Sequence, residues 1–158
     1  MTMPSIESSS LPRLTDATIE VFETMVFTTL VVGEPALDSP PPAAHVVGAV
    51  RFLGSLSGTV SLYASNDAAQ EIAGQLLGIS PEEAADSVCD AIGEVTNMIA
   101  GTFRAKVTQT GETLMITTPT VTRGTDFSAQ HFNVASRVLC PFFMGEKKVF
   151  VELILQQS

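Results

Sequence analysis

The sequence has no tryptophan, one tyrosine, two cysteines and two histidines. Cys89 and Cys140 both stand in apolar surroundings, so the thiols read as buried and reduced rather than as the staples of a disulfide scaffold. His45 and His131 lie far apart, without metal-ligand spacing to cysteine, and give no support to a zinc site. Positive charge is scarce: 8 Lys and Arg face 17 Asp and Glu, a net charge of −9. Nucleic acids and anionic membrane surfaces select for clustered cations, so neither is expected as a partner. No apolar run approaches the roughly 20 residues of a membrane span. Met1 to Pro12 is polar and Ser-rich, without the basic start and apolar core of a signal peptide. A cytoplasmic location is expected. Catalytic motifs are missing too: there is no Gly-x-Ser-x-Gly elbow, and Gly54-x3-Gly58 lacks the Lys-Ser/Thr of a phosphate loop.

Apolar side chains make up 45% of the 158 residues and charged ones 16%, which suits one globular domain with a single core. The expected division is a flexible tail over 1–13 and one domain over 14–158. Thr15 or Asp16 can cap a first helix running to about Thr28, with Ile19, Phe22, Met25 and Val26 as its apolar stripe. Phe27 to Val32 is β-prone, and Gly33 to Ala44, with four prolines, reads as a stiff surface loop. His45 to Leu53 and Gly58 to Ala64 read as a hairpin, followed by a helix from Asn66 or Asp67 to Leu77 that Gly78 ends. Ser80-Pro81-Glu82-Glu83 is a capping box opening a short helix. Strands are expected over 113–117, 120–122, 136–144 and 147–156, the last two as a long hairpin. The count is about six strands and three or four helices. The order predicts an α+β fold, a mostly antiparallel sheet with helices on one face.

One helix stands out. From Asp90 to Gly101, continuing to about Lys106, the apolar residues Val88, Ala91, Ile92, Val95, Met98, Ile99 and Phe103 recur at helical spacing. Asp90, Glu94, Asn97 and Gly101, at i, i+4, i+7 and i+11, form a second stripe. Gly93, Asn97 and Gly101 are poor helix formers, each glycine costing about 1 kcal/mol relative to alanine. Close approach of another molecule to a positioned amide would account for that cost. The first helix repeats the pattern weakly: Asp16-Ala17 and Glu20-Val21 match Asp90-Ala91 and Glu94-Val95, with Ile19 and Glu23 where the second helix has Gly93 and Asn97. The methionines read as core filler. One helix supplies too few oxygens for a cation, so no metal site is expected.

Asp90-x3-Glu94-x2-Asn97, the surrounding Gly-Glu-Val-Thr-Asn-Met-Ile-Ala-Gly run and Pro119 resemble the signature of the CheC/CheX/FliY family of chemotaxis response-regulator phosphatases. With one intact motif, the chain is most similar to the CheX branch. The resemblance implies hydrolysis of the aspartyl-phosphate of a CheY-like receiver that brings its own Mg²⁺. It implies that Asn97 orients the attacking water and that Glu94 pairs with the receiver's active-site lysine. By the same resemblance Asp90 is a candidate for a further contact or for a local bond near the helix start, and Gly93 and Gly101 would keep the stripe low for the partner. It also implies a homodimer joined sheet edge to sheet edge, for which the final hairpin could offer the edge. A non-catalytic signalling or flagellar scaffold that binds a receiver is the alternative.

Overall fold

A computed structural model describes residues 10–40, 42–109, 111, 113–124 and 134–156. Residues 1–9 of the expected tail and His131 lie outside the described residues. In chain order the elements are α1 (Leu11–Met25), β1 (Val31–Val32), β2 (Ala36–Leu37), β3 (Val46–Gly54), β4 (Gly58–Ala64), α2 (Asn66–Leu77), a 3-10 turn (Ala85–Ser87), α3 (Val88–Thr108), β5 (Leu114–Ile116), β6 (Thr120–Arg123), β7 (Val134–Met144) and β8 (Lys147–Gln156).

Hydrophobic alternation places the hairpins. Along β8, Val149, Val151, Leu153 and Leu155 are buried in the main core; on β4 the same face carries Val60, Leu62 and Ala64. These two strands pair antiparallel at the centre of the sheet, Val60 opposite Leu153 and Leu62 opposite Val151. The helices close this face. Leu14, Ala17, Val21 and Phe22 of α1, Ile72 of α2, and Ile92, Val95, Ile99 and Phe103 of α3 join the same core. Phe52 and Phe103 meet there in a tilted pair, ring centroids 5.7 Å apart.

The sheet has eight strands in the order β1-β7-β8-β4-β3-β5, with β2 also pairing β7 and β6 also pairing β3. The long strands number four, and two short strands share each outer edge, so six positions hold eight strands. The expected count of about six missed this because β1 and β2 are two residues each. Exchange β1 with β5, β2 with β6, β3 with β7 and β4 with β8, and the order reads the same from the opposite edge. Each half, helix then two short and two long strands, therefore sends its short strands to the other half's long strand. The weak repeat between the first helix and α3 is the sequence trace of this symmetry.

Several boundaries differ from the expectation. α1 begins at Leu11, before the Thr15 or Asp16 cap, with Pro12 in its first turn, where no amide donor is needed. The loop from Gly33 holds β2, because Ala36 and Leu37 need only one edge of β7 and the prolines flank them. Ser65, not Asn66 or Asp67, caps α2, its hydroxyl accepting from Ala68 N–H at 3.2 Å. The capping box does form: Glu83 N–H donates to Ser80 Oγ and Ser80 N–H to Glu83 Oε1, both 3.1 Å. It opens only turns and the 3-10 turn before α3. The final hairpin offers no edge, since β8 lies between β7 and β4 and β7 is covered by β1 and β2.

Candidate functional site

α3 packs across the long strand next to one sheet edge. The closest approach is made at Gly48 of β3, where an added Cβ would overlap Thr96 Oγ1 and press on Ile92. Thr96 is buried and satisfies its hydroxyl within the helix, donating to the Ile92 carbonyl at 2.6 Å. With Val88, Ile92, Val95, Ile99 and Phe103 turned to the sheet, the helix's geometry turns Asp90, Glu94 and Asn97 away from it. Asp90 and Glu94 are exposed and Asn97 is half-buried. None of the three side chains bonds to another described residue. Successive members of the stripe are one turn apart, close enough for one small group to touch both Glu94 and Asn97.

The two glycines have different surroundings. A Cβ at Gly101 would have nothing within 4 Å, so the space beside Asn97 is open. Gly93 is buried, and a Cβ there would stand 3.2 Å from Val121 and 3.9 Å from Pro119. The connection between β5 and β6 thus lies on α3 at Gly93. The close approach that Gly93 permits is made by this chain's own Pro119 and Val121, and the expectation of low relief for a partner there is corrected accordingly. Pro119 and Val121 thus flank α3 on one side at that glycine.

α1 forms the other wall. A shallow open groove of about 540 Å³ runs between α1 and α3, lined by Glu20, Met25, Asn97, Met98, Gly101 and Ile116 among others. Lys106 of α3 reaches Glu20 of α1 at 3.6 Å along it. Met25, read from the sequence as core filler, is 42% exposed in this groove. The apolar period of α1 put it inside; the helix ends at that residue, so it loses its cover. No group of three or more His, Cys, Asp or Glu among the described residues could hold a metal ion.

The family model for chemotaxis phosphatase CheX matches residues 46–143, which include the whole of α3. The chain belongs to this family. A CheY-P phosphatase CheX of Thermotoga maritima is 28% identical over 120 residues, 72% of this chain and 77% of that protein. Among solved structures, the chemotaxis protein CheX of Desulfovibrio desulfuricans superposes with a TM-score of 0.83 at 27% identity, covering 92% of this chain and 97% of that one. The Borrelia burgdorferi protein of a CheX-CheY-BeF3-Mg²⁺ complex shares the fold, with a TM-score of 0.81 at 21% identity over 94% of this chain and 99% of that one. The α+β architecture is that of these CheX structures, and the chain's enzyme class is phosphatase. No helix among the described residues is long and apolar enough to cross a membrane.

Proposed function

We propose that the protein hydrolyses the aspartyl-phosphate of a CheY-like receiver, with Asn97 and Glu94 as its working side chains. The reading is carried by one observation: an exposed carboxylate and a half-buried amide, one turn apart on α3, have no partner among the described residues, and the helix is open beside them at Gly101. An acyl phosphate is already reactive, and its magnesium comes with the receiver, so positioning supplies most of what remains. The Asn97 amide holds the attacking water in line with phosphorus by hydrogen bonding, its carbonyl oxygen able to accept from a water O–H and its NH2 able to donate to a water oxygen, without titrating. Glu94 draws the receiver's active-site lysine to itself and so seats the phosphoryl group against the water. Asp90, a turn earlier, lies on the rim of the contact, and Gly101 admits the receiver's backbone. The protein needs no metal or cofactor of its own in this scheme.

The test is the lifetime of a CheY receiver phosphorylated with acetyl phosphate in Mg²⁺, with and without the protein. A lifetime shortened in proportion to added protein supports the reading. Capture of the phosphorylated receiver with an unchanged lifetime overturns it in favour of a scaffold that binds without catalysis. We also propose a homodimer, formed at the sheet edge where β1 and β2 expose Val31, Val32 and Leu37. Light scattering at assay concentrations distinguishes a mass of one chain from two.

A further inference from the structure

The end of α1 carries a residue in a conformation that its side chain disfavours. Phe27 has φ of +56°, the left-handed region, in the position that glycine usually takes when a helix closes. The chain turns there with Thr28 N–H donating to the Phe22 carbonyl at 2.9 Å. A large aromatic residue in that region is strained. Nothing in the core repays the strain, because Phe27 is 70% exposed. It follows by two residues Met25, which is also exposed and shares the groove with Met98, Gly101 and Asn97. In the repeat that matches Asp16 with Asp90, Phe27 stands where α3 has Gly101. One half of the symmetry is cleared at this position, and the other is built up with a ring.

We propose that Phe27, with Met25 and Met98, is the apolar anchor on which the phosphorylated receiver docks, and that it sets the affinity of the encounter rather than the rate of hydrolysis. The inference rests on the reading of Asn97 given above: any domain that brings phosphorus to Asn97 covers the groove whose floor holds that residue, and with it Met25 and Met98. Methionine adapts to an irregular partner surface, and an aromatic ring supplies a large buried area with few rotamers to freeze. The strain at Phe27 is the signature of a residue kept for contact. A glycine would make the same turn without cost. Phe27 acts as a positioning residue and does not touch the reacting atoms.

The variant F27G separates fold from contact, because glycine suits the backbone better than phenylalanine does. F27N is a second, polar variant that also tolerates the left-handed conformation. Both are expected to raise KM for the phosphorylated receiver about tenfold or more, to leave kcat within about twofold, and to keep or raise the melting temperature. F27Y, which keeps the ring, is expected to keep the wild-type KM. An unchanged KM in F27G and F27N overturns the anchor, as does a KM increase accompanied by a fall in melting temperature. If the wild-type protein does not shorten the phosphate lifetime, the catalytic reading fails separately. Titration of a beryllofluoride-activated CheY receiver in Mg²⁺ then decides the anchor: about tenfold weaker binding by F27G supports it, and equal binding overturns it.

Discussion

A methyl group added at Gly101 would touch nothing, whereas one added at Gly93 would press on Val121. The same substitution is therefore expected to differ in outcome at the two sites. Gly101→Ala removes a poor helix former from an open site, so unfolding in urea should show a gain of about 0.5–1 kcal/mol. If the proposed receiver contact is right, its phosphatase rate should nevertheless fall, because the methyl would stand in the space proposed for the receiver's backbone. Gly93→Ala should keep activity in proportion to folded protein and gain less stability than Gly101→Ala, because the contact with Val121 must yield and offsets the helix-propensity gain. A faster or unchanged rate in Gly101→Ala would show that the open space is not used. Buried titratable residues act at the same scale. Burial pushes the Cys140 thiol from 9.0 up to about 12. The Tyr63 phenol is also pushed up, by burial first and then by the Glu152 carboxylate, to which it donates a hydrogen bond of 2.7 Å. Both groups hold their protons more tightly folded than unfolded. They favour folding below their ordinary values and oppose it as pH rises through them. The urea midpoint should therefore fall as pH rises above about 9, and Cys140→Ala should flatten the first part of that fall.

At the scale of elements, the seat of α3 depends on a glycine outside it. Gly48 of β3 lets Thr96 and Ile92 lie against the strand. Gly48→Val should cost about 1–3 kcal/mol by overpacking and reduce activity by shifting α3, read as a lower melting temperature together with a lower rate. Removing the obstructing hydroxyl with Thr96→Ala should restore part of both in Gly48→Ala, a coupling that two independent sites would not show. The elements differ in how far they could be read from sequence. β4, β8, α2 and the body of α3 were legible, because alternation or a 3.6-residue period ran long enough to mark a buried face. Gly78, which ends α2, and the box at Ser80 carried their own chemistry, although the N-cap of α2 is Ser65 and the box opened turns rather than an α-helix. β1 falls inside the β-prone stretch Phe27 to Val32, but its bounds were not legible, and β2 was not legible as a strand at all. Two residues carry no period, and what makes them strands is the free edge of β7, a partner more than a hundred residues away in sequence. The stripe of Asp90, Glu94, Asn97 and Gly101 could be read because a helix puts such spacing on one face. Gly48, the cover of Pro119 and Val121 over Gly93, and the strained Phe27 could not, since each is defined by a contact or a backbone angle that no local pattern encodes.

For the whole molecule, the sheet's interleaved symmetry ties each half to the other, and the central strands carry the largest electrostatic commitment. Glu152 of β8 is fully buried on the face away from the helices, accepting from Tyr63 Oη on one oxygen and from Arg137 Nη2 at 3.1 Å on the other. Removing one member leaves the other charge buried, so Arg137→Met should destabilise the protein by about 3–5 kcal/mol in urea unfolding. A cost below about 1 kcal/mol would mean that the network is solvated in solution. In the same frame α1 and α3 occupy equivalent places, but only α3 has an amide, Asn97, at the matching position, where α1 has Glu23. The most direct test of the account measures the hydrolysis step in the complex itself. With a phosphorylated CheY receiver in Mg²⁺ and saturating protein, Asn97→Ala should slow phosphate loss by about a hundredfold or more relative to wild type, while binding of the beryllofluoride-activated receiver stays within a few-fold. Phosphate loss by Asn97→Ala at the wild-type rate would contradict the assignment of the water to that amide.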